Sequence, residues 1–345
     1  MIQIDGAYGE GGGQILRTAL ALSLATGTPF TITRIRANRN RPGLMRQHLA
    51  AVSAATAVGH ARTIGAALGA GRLTFQPEGV YPGRYRFDVG SAGSATLVLQ
   101  AILPPLLTAE GDTRLILEGG THNPFAPPFD FLDRTFLPMI RRMGPEVTAT
   151  LARPGFFPAG GGRFQVDIRP CLRLNGFDLL QRGSVNRCSA AAVTAKLPRH
   201  IAERELAVIR RHITLKDDCL SVIEVSDSPG PGNIVTLAVE SDAVTEIFSG
   251  FGRRGVPAEK VAMAVVAEAR EYLAADVPVG RRLADQLLVP LALAGRGRFR
   301  TLPPSRHTRT NAHVIQQFLE VDITFDAKAD GSYEIAVSSR HDATD

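Results

Sequence analysis

Apolar positions along the chain follow two spacings, a short strand-like run and then a longer helical run, and the pair recurs. In IDGAYGEGGGQILRTALALSLATG a short apolar strand enters the loop Gly9-Glu10-Gly11-Gly12-Gly13-Gln14, and a helix with apolar residues at helical spacing begins at once. YRFDVGSAGSATLVLQAILPPLLTAEGDTRLILEGG repeats that order, with a Gly/Ser-rich loop before the helix. A third copy runs through AADVPVGRRLADQLLVPLALAGRGRFRTL, with Gly280 at the loop. Gly27, Gly111 and Gly295 are the expected helix stops, each followed by a β-like run.

Asp5 and Asp88 lie 83 residues apart, whereas the loop glycines Gly90 and Gly280 are 190 apart. Repeats at a fixed period with one oversized gap imply an insertion. GFFPAGGGRFQVDIRP reads as a hairpin that completes the second copy, and a separate strand-and-helix set follows from about Arg182 to Val277. FLEVDITFDAKADGSYEIAVS reads as a terminal β-hairpin with an Asp-Gly turn. The expected class is α+β. A large domain of three sheet-plus-two-helix units (residues 1–181 and 278–340) carries a smaller inserted α/β domain (182–277), and a tail (341–345) ends the chain.

Composition adds limits. At 345 residues the chain is long enough for about two domains. With 44% hydrophobic and 21% charged residues it is of the globular class, and no apolar stretch reaches the length of a membrane span. No signal-like N-terminus precedes the first strand, so a cytoplasmic location is the expectation. The three cysteines, Cys171, Cys188 and Cys219, have no metal-type spacing and are expected to be reduced.

Net charge is +6, supplied mainly by arginine, whose planar fork suits phosphate. The segment ITRIRANRNRPGLMRQHL concentrates Arg34, Arg36, Arg39, Arg41 and Arg46 before Gln47-His48. Asn and Gly-Pro break it into a loop, and a loop so crowded with like charge calls for an anionic partner. The glycine loop points the same way, since its backbone amides at a helix start suit an anion. It is neither a P-loop nor a Gly-x-Gly-x-x-Gly turn. Glu10 would repel phosphate unless a divalent cation lay between them, so it suggests a metal–nucleotide site. A tight turn with a solvated Glu is the plainer alternative.

GEGGGQILR, IRANRNRPGLMRQHL, GSAGSATLVLQ, GGTHNPFAPPFDF, FFPAGGG, RRLADQ and RHTRTN, in that order, resemble the RNA 3′-terminal phosphate cyclase family from Met1 to about Ser338. The resemblance implies an enolpyruvyl transferase/cyclase-like fold and an enzyme that uses ATP and a divalent cation (Mg2+ or Mn2+) on RNA with a 3′-phosphate. A histidine–AMP adduct would form first, then an RNA–phosphate–phosphate–adenosine anhydride, and the 2′-hydroxyl would close the 2′,3′-cyclic phosphate. It assigns the nucleophile to His307, before a helix expected to open near Thr310-Asn311, and the metal to Glu10. It assigns nucleotide contacts to Gln100, Pro127, Phe131, Arg282, Leu283, Ala284, Asp285 and Gln286. Arg17, Arg39, Arg46, Gln47 and His48 would hold the phosphate or substrate. One position departs from the family pattern: the aromatic often found before Leu-Ala-Asp-Gln is Arg282. A guanidinium plane also stacks on a base. A homodimer is compatible with this reading, and the lack of a long apolar stretch gives no expectation of a membrane partner. Two other readings stand beside it. A non-catalytic, RNA-binding ribosome-assembly relative would lose these site residues, and an enolpyruvyl-type transferase has no use for the arginine loop.

Overall fold

The computed structural model describes residues 1–340, so the 341–345 tail lies outside the described residues. Its first unit contains β1 (Ile2–Asp5), α1 (Gly13–Thr26), β2 (Phe30–Thr33), α2 (Arg46–Gly59), β3 (Arg62–Ile64) and β4 (Leu73–Gln76). β1 runs parallel to β2, β4 runs antiparallel to both β2 and β3, and the sheet order is β1-β2-β4-β3.

The second unit repeats this plan. It comprises β5 (Arg84–Asp88), α3 (Ala95–Leu106), β6 (Thr113–Gly119), α4 (Phe129–Phe131), α5 (Leu137–Arg142), β7 (Glu146–Arg153) and β8 (Gly162–Arg169), with a π-helical turn at Leu132–Phe136 joining α4 to α5. Its sheet order is β5-β6-β8-β7, with the same parallel and antiparallel pairings.

The third unit opens with β9 (Asp178–Leu179), after which the chain leaves it. A separate sheet forms first, from β10 (Val185–Ala195), α6 (His200–His212), β11 (Leu220–Val225), β12 (Gly232–Ser241), β13 (Thr245–Phe251) and α7 (Ala258–Ala275), in strand order β11-β10-β12-β13. The chain then returns for α8 (Arg281–Ala294), β14 (Arg296–Thr301), α9 (Arg306–Phe318), β15 (Val321–Ala327) and β16 (Tyr333–Ser339). The third sheet is ordered β15-β16-β14-β9. Sequence reading puts the opening strand of this unit just before Gly280. Instead β9 supplies it, and Val279 adds only a single bridge to Thr301, two residues along β14 from the Leu179–Phe299 pair.

Three helix ends show how local sequence sets these elements. α1 and α8 stop where Gly27 and Gly295 take left-handed φ values of 67° and 76°. Gly111 does not serve that way, because α3 already ends at Leu106, after Pro104 and Pro105 enter its last turn.

Every residue of α1 from Gln14 to Leu24 is buried, as expected of a helix apolar on nearly all sides. It packs against α2, α3 and α9, so helices of all three units meet around it. One continuous core joins the three units through Leu20, Phe30, Leu103, Phe164, Leu287 and Phe299. A second core, including Leu206, Leu237, Val265 and Tyr272, lies under the fourth sheet. No helix among the described residues is long and apolar enough to cross a membrane.

Candidate active site

The glycine loop, the starts of α1, α2, α3 and α8, and the first turn of α9 converge on one place. Ser305 caps α9, its hydroxyl accepting from Thr308 N at 3.1 Å. His307 therefore stands inside the first helical turn, not in a loop ahead of the helix as the sequence suggests. Ser305 follows two prolines in extended backbone, and serine there satisfies an otherwise free amide. Thr310 and Asn311, expected as caps, brace the site. Thr310 Oγ1 accepts from Glu10 N at 3.0 Å, and Asn311 Nδ2 donates to the Asp285 carbonyl at 3.0 Å.

His307, itself half-exposed, is held by a chain of polar groups that runs through the buried Gln14. Its Nδ1 lies 2.8 Å from Gln14 Oε1, and Gln14 Nε2 donates to Asp285 Oδ1 at 2.5 Å. With the amide nitrogen committed to Asp285, the amide oxygen accepts, so Nδ1 carries the proton. Nε2 keeps its lone pair. Burial lowers the His307 pKa first of all; Asp285 opposes this, while Arg17 and Arg39 add to it. Burial raises the Asp285 pKa, opposed by the Gln14 hydrogen bond and by His307 and Arg17. From the other side, Arg17 Nε donates to Gln100 Oε1 at 2.9 Å and Gln100 Nε2 donates to Gln286 Oε1 at 2.9 Å. Burial brings the Arg17 pKa down to about 10, which leaves it charged at neutral pH.

Two cavities meet at His307. A pocket of about 390 Å³ is lined by Gln100, Pro127, Arg282, Asp285 and Gln286, with Phe248 from β13 on the far wall. A wider groove of about 1130 Å³ runs past Glu10, Arg39, Arg41, Arg46, Gln47 and His48. Gln14, Arg17 and His307 belong to both.

Close backbone approach makes the groove. A Cβ at Gly12 would collide with the Glu10 carboxylate, and one at Gly13 with the His48 ring and the Arg17 guanidinium. Gly12 offers no side-chain cap, so the first amides of α1 stay free for an anion. His48 Nδ1 accepts from Met45 N at 3.0 Å. Burial, Arg17 and Arg36 push its pKa down to about 3, so His48 is neutral and presents Nε2–H to the groove. Gln47 Oε1 accepts from Ser94 N at 2.8 Å, tying the start of α2 to that of α3.

Glu10 forms an ion pair with Arg39 through Oε1, and Arg39 also donates to the Glu10 carbonyl at 3.0 Å. Glu10 Oε2 is buried without a hydrogen-bond partner, 3.8 Å from His307 Nδ1. No group of three or more His, Cys, Asp or Glu side chains able to hold a metal occurs among the described residues. Magnesium commonly takes one or two carboxylates and fills its remaining positions with water and substrate phosphate. One unpartnered carboxylate oxygen beside an anion groove fits that donor set.

Some expected contacts fall elsewhere. Phe131, expected against the nucleotide, is 1% exposed in the core, and the Arg282 guanidinium lies 5.7 Å above its ring. Leu283 and Ala284 are buried in the core on the inner side of α8, and neither lines the pocket or the groove. Of RRLADQ, the structure turns Arg281, Arg282, Asp285 and Gln286 to the pocket. Gln14 and Asn311 escape the sequence reading as site residues. The available signal was polarity, since each sits among buried positions of a helix packed on both sides.

A three-unit α+β protein with a tautomer-fixed histidine between a nucleotide-sized pocket and a basic groove defines the class: a phosphate-handling enzyme. The family model described as RNA 3′-terminal phosphate cyclase matches residues 8–325. A relative from Koribacter versatilis, named RNA 3′-terminal phosphate cyclase, is 49% identical over 99% of this chain and 96% of its own. Relatives of the same name from Salmonella enteritidis PT4 and Ralstonia nicotianae are 46% and 48% identical, covering 98% and 96% of this chain and 99% and 95% of theirs. The chain belongs to the RNA 3′-terminal phosphate cyclase family. Among solved structures, the enolpyruvyl transferase NikO from Streptomyces tendae matches 98% of this chain and 65% of its own at 13% identity, with a TM-score of 0.29.

Proposed function

We propose that the protein uses ATP to convert an RNA 3′-terminal phosphate into a 2′,3′-cyclic phosphate through a covalent His307–AMP intermediate. The observation that carries this reading is the Asp285–Gln14–His307 chain, which leaves Nε2 unprotonated where the pocket and groove meet. His307 Nε2 attacks the α-phosphorus of ATP, an N–P bond forms, and the P–O bond to pyrophosphate breaks. An oxygen of the RNA 3′-phosphate then displaces the imidazole, giving the anhydride and freeing His307. The neighbouring 2′-hydroxyl, losing its proton, attacks the RNA phosphorus, and AMP leaves.

Adenosine takes the smaller pocket, with Gln100, Pro127, Arg282, Asp285 and Gln286 around it. Arg282 offers a guanidinium face supported by Phe131 and by a hydrogen bond to Ser249 Oγ at 3.1 Å. The RNA end takes the groove, where Arg17, Arg39, Arg46 and the neutral His48 face phosphate, with Gln47 holding the α2 start in place. A magnesium or manganese ion, when bound at Glu10, neutralises phosphate charge. Residues 1–181 and 278–340 act as the catalytic domain, and 182–277 as a smaller domain that closes the pocket with Phe248. The setting is the cytoplasm.

Incubation with radiolabelled ATP and magnesium should give an acid-labile, alkali-stable AMP adduct that is lost in His307→Ala. Persistence of the adduct in that variant would show the nucleophile to be another residue. ATP should outcompete GTP in the same assay, and equal yields would count against adenine selection.

A further inference from the structure

A second cleft, of about 1060 Å³, adjoins the basic groove and lies between α6, α7 and the loops that carry Phe125 and Phe157. None of the chemistry above uses it. Pro124, Phe125 and Phe157 line both spaces, so the two are continuous around these side chains. Phe125 is 87% exposed and Phe157 64% exposed, unusual for rings of this size. The Arg253 guanidinium sits 5.6 Å from the Phe125 ring centroid, and Arg254 and His200 stand on the same rim.

The cleft is mostly apolar, and a buried polar pair lies beneath it. Glu205 is 0% exposed and Asn233 4% exposed, and Asn233 Nδ2 donates to Glu205 Oε2 at 2.9 Å. Their remaining oxygens, Glu205 Oε1 and Asn233 Oδ1, are buried without partners. A buried acceptor left unpaired costs roughly 1–3 kcal/mol, and both oxygens are closed off from the cleft. Every base has a π-face for an exposed aromatic. Burial pushes the Glu205 carboxyl up to about 7. Aromatic rings, cationic rim and continuity with a phosphate groove together form the combination that holds single-stranded nucleic acid.

Resting on the reading that RNA ends at His307, we infer that this cleft is the binding site for an RNA base two or more nucleotides upstream of the 3′-terminal one, beyond the reach of a dinucleotide. The strand passes from the groove over Phe125 and Phe157, and Arg253 meets its backbone.

The inference is tested with 3′-phosphorylated oligoribonucleotides two and ten nucleotides long, using wild-type protein, Phe157→Ser and Arg253→Ala. Adduct formation with ATP alone reports on folding and on the first step. The ten-mer should show a lower KM than the dinucleotide in the wild type. Its KM should rise about 5- to 100-fold in Phe157→Ser, as expected for one lost stacking contact, and to a smaller extent in Arg253→Ala. The dinucleotide KM and the ATP adduct should be unchanged. An equal KM for both lengths in the wild type, or equal shifts for both in the variants, overturns the inference and leaves the proposed function standing. A wild-type protein that forms no adduct would instead overturn the proposed function.

Discussion

A glutamine amide has no acid–base chemistry of its own, yet Gln14 decides which nitrogen of His307 carries the proton. Its amide group is polarised at both ends, donating to Asp285 at 2.5 Å and accepting from His307 Nδ1 at 2.8 Å. Replacing it with leucine keeps a buried side chain on α1 but removes both bonds, so both imidazole tautomers become populated. We expect Gln14→Leu to slow adduct formation about 10- to 100-fold, the range usual for a lost orienting partner, as measured by rapid-quench assay with labelled ATP. An unchanged rate would mean that Gln14 does not fix the tautomer. Glu10 shows what sequence conveys at this scale. A carboxylate in a glycine loop is conspicuous, and the structure leaves its Oε2 buried without a hydrogen-bond partner. Gln14 is less conspicuous in sequence, because one of several polar side chains in a mostly apolar helix does not announce a partner 271 residues away.

At the level of elements, the fourth sheet meets the third unit through one buried carboxyl. Glu246 on β13 accepts from Gly280 N at 2.6 Å, where α8 begins. Burial pushes its pKa up from an ordinary 4.5 to about 8, against the hydrogen bond from Gly280 and the charge of Arg282. The folded protein thus holds a proton that the unfolded chain releases above pH 4.5. The stabilisation is complete below that pH and declines as pH rises through 8, by up to about 1.4 kcal/mol per pH unit. Glu246→Gln keeps an accepting oxygen and cannot ionise. Its Tm relative to wild type should therefore climb between pH 5 and pH 9 in scanning calorimetry. A constant difference would show that Glu246 does not titrate in the folded state. Helices with glycine stops, such as α1 and α8, were readable from sequence because the left-handed turn is encoded locally. The start of α9 was misread because Ser305, Thr308, Thr310 and Asn311 are all competent caps, and tertiary partners decided among them.

On the scale of the whole molecule, three sheets with the same strand order surround one core, and the fourth sheet has its own. The repeat was legible because each copy begins with strand, loop and apolar helix. The opening strand of the third copy was not legible, since its two residues lie a hundred positions ahead of the helix they precede in space. Leu179 and Val279 sit two residues apart along the same edge of β14, a gap of about 7 Å. A chain with residues 182–277 removed and a Gly-Gly joint in their place should fold cooperatively with a lowered Tm. It should form little AMP adduct, because Phe248 and Glu246 leave the pocket wall. Aggregation, or a melt without a transition by circular dichroism, would show that the three units need the fourth sheet to fold. The narrow exit and return have a historical consequence as well. A segment that departs and rejoins within one strand's edge can be lengthened, exchanged or lost between lineages without moving the histidine, so change in what these proteins grip should collect there while the chemistry stays fixed.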